Sequence, residues 1–305
     1  MGQQFILNEV EHAKKIINDT LYQLDYSTLY DDLHIVANYY YAVMQYRRPK
    51  IKELLLDLSK RRYSKFDEDI SRCQKIIDTA VKKAGEYKLL QCDSITITKN
   101  EMNTIREIND KTLERLAFTL LCIAKYQLKR NSDFGGWCNA NPRDIFSLAK
   151  IKNGKSKDNA GIKTGDLYLS YLYSHGLITI NRDIRKWNIK VLFMDNDSEP
   201  EMTISDFRDL GYLYNAYKGD KFFACKGCGI ITKVYASNDE TGLCKSCLLK
   251  SKLKYIECTD CGKVFTADRR GGYQVKRCSD CQAKHKKATY KAWIRKNSKN
   301  NRETA

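Results

Sequence analysis

The C-terminal quarter of the chain writes one short motif four times: Cys225 with Cys228, Cys244 with Cys247, Cys258 with Cys261, and Cys278 with Cys281. Fifteen residues separate the first two pairs and 16 the last two. Both gaps fit the C-x₂-C-x₁₅₋₂₀-C-x₂-C spacing of a tetrahedral zinc site. A two-residue gap lets a tight turn aim both sulfurs at one ion, and the longer gap suffices for a hairpin that returns the second pair to it. Gly229 and Gly262 directly follow the leading pairs, where such a turn calls for positive φ. The trailing pairs run into helix-forming sequence, CKSCLLKSK and CSDCQAKHKKATYKAW. That places them at helix N-termini, where the dipole favours thiolate.

Offsets within the repeat decide which pairs share an ion. Cys225 to Cys258 and Cys228 to Cys261 are both 33 residues, while Cys244 to Cys278 and Cys247 to Cys281 are both 34. FFACKGCGIITK is echoed by YIECTDCGKVFT. Such a repeat predicts two sequential fingers of treble-clef or zinc-ribbon type, each with its own structural zinc, rather than an interleaved cross-brace. Units this small, with few apolar residues, need the metal to fold. Redox-active dithiols would require a βαβ context that the sequence lacks. Cys73, Cys92, Cys122 and Cys138 stand at unrelated spacings and read as small buried hydrophobes of a reducing compartment.

Charge is distributed unevenly. Of the formal +17, residues 221 to 305 hold 20 Lys+Arg against 7 Asp+Glu, whereas residues 1 to 220 hold 34 against 30. Each four-thiolate site subtracts two charges, so the basic region keeps about +9 with both ions bound. Such a surface attracts phosphate. Arg269, Arg270, Lys276 and Arg277 fall in or beside the loop of the second finger, and Lys284, Lys287 and Lys291 share one face of the following helix. Tyr290 and Trp293 are expected to pack against the finger. No stretch is long and apolar enough for a membrane span, and MGQQFILNEVEHAKK has neither the basic start nor the apolar run of a signal peptide. Ile6 breaks the myristoylation pattern. The expectation is a cytoplasmic chain without membrane contact.

Upstream, residues 1 to 92 read as a helical domain. Leu33, Val36, Tyr40 and Val43 form one helical stripe, and Phe66, Ile70, Cys73, Ile76, Ile77, Ala80 and Val81 another. The tyrosines of NYYYAVMQY fall at helical spacing and are expected to pack in a core or interface rather than stack on bases. Residues 93 to 200 start with a short strand, SITIT, and a capping box of Thr98 and Glu101. Three helices follow. KTLERLAFTLLCIAKYQLK is strongly apolar, NPRDIFSLAKI has Asn141 as N-cap with Pro142 behind it, and DLYLSYLYSH is ended by Gly176. Two alternating strands then flank the turn RDIRK. Three helices and a hairpin are the order of a winged helix, whose third helix enters the major groove and whose tip, here Arg182, Arg185 and Lys186, lies on phosphates. The fold class expected is therefore mainly α: a helical N-terminal domain, a winged-helix-like α+β middle domain, a linker helix over 201 to 221, fingers over 222 to 254 and 255 to 296, and a disordered tail over 297 to 305.

LAFTLLCIAKY (116 to 126), WCNANPRDIFSLAKI (137 to 151), IKVLFMDNDSEP (189 to 200), ISDFRDLGYLYNAY (204 to 217) and the following C-x-x-C-G resemble a family of phage and integrated-mobile-element proteins of low-GC Gram-positive bacteria. The likeness covers about two thirds of the chain. Members typically end in one finger where this chain has two. The family brings no established activity. The resemblance implies a mobile-element setting and the order helical region, middle domain, finger.

A catalytic reading must find its acid or base among His12, His34, His175 and His285. An HNH-type nuclease needs a histidine with further metal-binding side chains, and His285 is alone in the finger region. With four thiolates committed, each zinc lacks the open position that catalysis requires. Two non-enzymatic expectations remain: a nucleic-acid-binding regulator or replication accessory, on DNA rather than RNA, and a docking protein that grips a host complex through its tyrosine-rich part.

Overall fold

The computed structural model describes residues 4–19, 22–154, 163–183, 186–235, 240–251, 253–262, 264–268 and 276–303. Eleven α-helices and several small sheets appear among them, so the chain is mainly helical. It divides into two units: Met1–Phe222 with Ile230–Lys233, and Phe223–Gly229 with Val234–Ala305.

The first unit is built on two cores. One belongs to α1 (Glu9–Asn18), α2 (Leu29–Ala42), α3 (Arg48–Arg62) and α4 (Ile70–Lys83), with α2 packed against the other three. The stripes of the sequence largely do what their period requires: Leu33, Val36, Tyr40, Cys73, Ile76, Ile77, Ala80 and Val81 are buried. Val43, at the end of its stripe, and Ile70, between the buried Phe66 and Cys73, are exposed. Tyr39 and Tyr40 are buried as expected, and Tyr41 lies over Gly85, where an added Cβ would come within 2.4 Å of the ring. Gly85 also has φ +90, so both sterics and backbone exclude a side chain there. Burying α2 takes Asp32, His34 and Asn38 inside; His34 Nε2 finds no hydrogen-bond partner, whereas the other two are satisfied. Asn38 donates to the Tyr87 carbonyl at 2.8 Å and accepts from the Gly85 N–H at 2.8 Å. Asp32 accepts from Thr28 Oγ1 at 2.9 Å and lies 2.7 Å from His12 Nε2.

The second core surrounds α6 (Lys111–Arg130), whose buried run reaches from Leu113 to Gln127. Asp110 starts it by accepting from the Thr112 and Leu113 N–H groups at 2.9 and 2.8 Å. Ahead of it, β1 (Ile95–Thr98) leads into α5 (Lys99–Glu107), and the predicted capping box is present: the Thr98 N–H donates to Glu101 Oε2 at 2.8 Å and the Glu101 N–H to Thr98 Oγ1 at 3.4 Å. After α6 come β2 (Trp137–Cys138), α7 (Pro142–Leu148), α8 (Thr164–Ser174), β3 (Ile178–Asp183) and β4 (Lys186–Val191). Asn141 caps α7 and Gly176, at φ +68, follows α8, both as the sequence predicts. The strands form a sheet in the order β2-β4-β3. β2 was not legible, because two residues show no alternation.

Three boundaries need correction. Residues 201 to 221 are no linker: β5 (Pro200–Ile204) pairs antiparallel with β1, opposing Ile204 to Ile95, and α9 (Leu210–Tyr217) packs on α6. Ile204, Phe207, Leu210 and Tyr214 are buried in the second core, and the Tyr214 hydroxyl donates to Glu114 Oε2 at 2.6 Å. Phe5 and Leu7 also belong to this second core rather than to the helical domain. Helix formation over a stretch as polar as 297 to 303 is likewise a correction, since helix runs through those residues of the expected tail.

β6 (Phe222–Ala224) and β7 (Ile231–Lys233) flank the first cysteine pair in the chain; in the second unit, α10 (Lys245–Ser251), β8 (Leu253–Glu257), β9 (Val264–Asp268) and α11 (Ser279–Glu303) then follow one another. β8 and β9 form an antiparallel hairpin that opposes Glu257 to Val264, with the third cysteine pair between the strands. No helix among the described residues is long and apolar enough to cross a membrane.

Candidate metal centres

The eight paired cysteines gather into two separate groups, Cys225, Cys228, Cys244 and Cys247 in one, and Cys258, Cys261, Cys278 and Cys281 in the other. Within each group all sulfurs lie within 4.8 Å of one another. The pairing is thus sequential, as the repeat offsets predict. Cys228 Sγ to Cys244 Sγ and Cys261 Sγ to Cys278 Sγ both measure 3.7 Å. Four ligands placed about 2.3 Å from a tetrahedral zinc stand about 3.8 Å apart, whereas a disulfide would need about 2.0 Å. None of the twelve cysteines is in a disulfide. The two groups are positioned to bind two zinc ions.

Local backbone explains why the sulfurs converge, and it does so twice. The Gly229 N–H donates to the Cys225 carbonyl at 2.8 Å, and the Gly262 N–H to the Cys258 carbonyl at 2.9 Å. These turns close with Gly229 at φ +73 and Gly262 at φ +69, the left-handed region in which a Cβ is disfavoured. Lys226 N–H then bonds the Gly242 carbonyl at 2.9 Å, and Thr259 N–H the Lys276 carbonyl at 3.0 Å, tying each leading turn to the segment before its trailing pair. Cys244 and Cys278 immediately precede α10 and α11, and their carbonyls accept the N–H groups of Leu248 and Gln282 at 2.8 and 2.9 Å. Both trailing pairs therefore sit at helix starts.

One difference between the copies has a physical reading. Around the first group, a Cβ on Gly227 would come within 3.1 Å of Cys247 Sγ and 3.3 Å of Leu243 Cδ2. Asp260 and Arg277 occupy the matching repeat positions of the second group and form an ion pair at 2.8 Å. Arg277 is consequently engaged within the finger, which weakens its candidacy as a phosphate contact.

The sulfurs are electrostatically prepared for a cation. Burial opposes ionisation of Cys225, but N–H groups of Cys244, Gly227 and Cys228 outweigh it and draw its pKa down to about 6. The Cys278 N–H acts likewise on Cys258, against burial, and brings it to about 6. Cys247 is pushed up to about 12 by burial and by the neighbouring sulfurs, and Cys281 to about 12 by Cys261, Cys278 and burial. Four thiolates cannot coexist unpaired at such distances, and a divalent ion removes that conflict. The remaining cysteines have no such surroundings. Burial pushes the Cys122 and Cys138 thiols well up, and Cys138 Sγ donates to the Leu120 carbonyl at 3.0 Å.

Among the other residues singled out in the sequence, Lys276, Lys284, Lys287 and Lys291 are exposed. Lys284, Lys287 and Lys291 share one face of α11. Arg269, Arg270 and Arg185 lie outside the described residues. The backbones of Arg182 and Lys186 stand at the ends of β3 and β4, with Asp183 opposite Lys186, and their side chains lie outside the described part. Tyr290 and Trp293 correct the expectation of packing: they are 63% and 59% exposed. Neither metal group contains a histidine. The His34 ring lies 4.1 Å from that of Tyr30, tilted by 31°, with its pKa lowered to about 4 by burial and then by Lys83. His175 stacks on Tyr171 at 3.9 Å, and His285 is exposed on α11.

No protein-family model, curated protein or solved structure matches this chain. Its function rests on the site itself.

Proposed function

We propose that the chain is a zinc-stapled nucleic-acid-binding protein of the cytoplasm, acting on DNA rather than RNA as a regulator or replication accessory of a phage or mobile element. The observation that carries this is the second cysteine group, which sits at the start of a 25-residue helix bearing 8 Lys+Arg against 2 Asp+Glu. Zinc fixes the end of that helix, and the helix presents a row of cations to phosphate. Each finger reads as a treble clef or zinc ribbon, with one cysteine pair at a turn and the other at a helix start. The middle region reads as a winged helix, and the sheet order β2-β4-β3, with β2 between α6 and α7 and the β3-β4 hairpin after α8, supports this. All eight paired sulfurs are committed to metal, so we assign the zinc ions a structural role and no catalytic residue, and an HNH-type nuclease finds no support in the lone His285.

One observation favours a second reading for the middle region. α8, TGDLYLSYLYS, contains no lysine or arginine, and it exposes Tyr171 and Tyr173. A helix without cations contributes little to phosphate affinity, and exposed tyrosines suit a protein contact. Under that reading the middle region docks a host protein while the fingers hold nucleic acid.

The test is binding of the zinc-loaded chain to labelled duplex DNA, single-stranded DNA and RNA at about 50 mM salt. Affinity for DNA that falls steeply as salt rises is expected. Absence of binding to all three at that salt overturns the nucleic-acid reading, the fingers' share of the second reading included, and leaves only the protein contact of the middle region.

A further inference from the structure

Helix α11 has no core to pack into over its described first half. Every residue from Gln282 to Lys291 is exposed, on all faces. Between Ser279 and Trp293 the bulky apolar side chains are Tyr290 and Trp293 alone, and both stand in solvent. Large aromatic groups left in water on a stretch of helix whose described side chains beyond Cys281 are all exposed call for an explanation that scattered exposed residues do not. Their rings lie 14° from parallel, with centroids 6.2 Å apart. Lys287 and Lys286 lie three and four residues before Tyr290, one helical turn away, and Lys291 directly follows it.

We propose that α11 is a stacking platform for single-stranded nucleic acid: unpaired bases stack on Tyr290 and Trp293 while Lys284, Lys286, Lys287 and Lys291 hold the adjoining phosphates. The inference rests on the nucleic-acid reading above and adds the class of strand. In a duplex each base face is already covered by its neighbours, so exposed rings gain nothing from it; in a single strand the faces are free, and successive bases are nearly parallel, as these two rings are. Charge complementarity points the same way, since eight cations against two acids along the helix attract a polyanion. A membrane surface fits less well. An interfacial helix needs a continuous apolar face, and two aromatic residues within fifteen do not make one.

The test uses the full, zinc-loaded chain with labelled oligo-dT of about 20 nucleotides and a duplex of the same length. Tyr290→Ala and Trp293→Ala should each weaken oligo-dT binding at least about fivefold, from the usual worth of one base–aromatic stack. The ratio of single-strand to duplex affinity should fall with it, and Tyr290→Phe with Trp293→Phe should restore it. Both positions are exposed, so zinc content should stay at two ions per chain. Unchanged oligo-dT affinity in the double alanine variant, while the wild type binds DNA, overturns this inference alone. A wild type that binds no nucleic acid overturns the parent reading as well. Loss of binding to phosphatidylserine vesicles with oligo-dT affinity intact would instead assign the two rings to a lipid surface and also overturn it.

Discussion

Lys284, Lys287 and Lys291 offer the most direct quantitative check on the proposed contact with phosphate. Seven residues of α-helix separate the first from the last, about 10 Å along the axis, and each ammonium is a point charge on a flexible stem that can neutralise one phosphate. Three contacts are therefore the number this face can make. Each neutralised phosphate contributes about 0.7 to the slope of log K against log salt on a single strand and about 0.9 on a duplex. The three lysines together should supply a slope of about 2 and about 2.7 respectively. A fourfold rise, from about 50 to about 200 mM salt, then costs about 20-fold in single-strand affinity and about 40-fold on duplex through this face alone. Replacing all three by alanine should flatten the slope by those amounts and remove the corresponding affinity at low salt. Alanine is the better helix former and these positions are exposed, so the helix should persist. Fluorescence anisotropy across a salt series measures the slope directly. An unchanged slope in the triple variant would refute the reasoning, because it would mean that the phosphates lie elsewhere.

Two further predictions concern what holds the structure. Cys278→Ser should lower bound zinc from two ions per chain to one, read by metal release on a thiol-reactive titration, since the two cysteine groups share no ligand. Lys125→Met should destabilise the first unit by about 3 to 5 kcal/mol in urea unfolding, because Lys125 Nζ lies 2.8 Å from Glu101 in a pair with almost no exposure; adding Glu101→Gln should recover part of that loss, and a double variant no better than the single would show that the stranded carboxylate is not its cause.

That pair also shows why some of the structure could not be read in advance. Glu101 was recognisable as half of a capping box, because Thr98 is three residues away and the geometry of one helical turn fixes the partnership. Its second job was hidden. Glu101 Oε1 also accepts from the Asp195 N–H at 2.8 Å, and Lys125 Nζ donates to the Asp195 carbonyl at 3.0 Å, so the capping residue anchors a loop 94 positions away. The same limit explains β5 and α9. PEMTI alternates too briefly to name its partner, and only the packed molecule places Ile204 opposite Ile95 and Tyr214 against Glu114.

The sequence by itself determined the two cysteine sites, their sequential pairing, the glycine turns and the helix starts. Each depends on spacing within a few tens of residues and on backbone geometry that any such spacing must obey. Tertiary structure decided what lies inside and what stays in water. Tyr40 and Tyr290 are the same residue on the same kind of element, yet one is buried in the helical core and the other stands in solvent. Helical period says which side chains share a face. Whether another surface arrives to cover that face depends on distant segments, and that is settled only when the chain has folded.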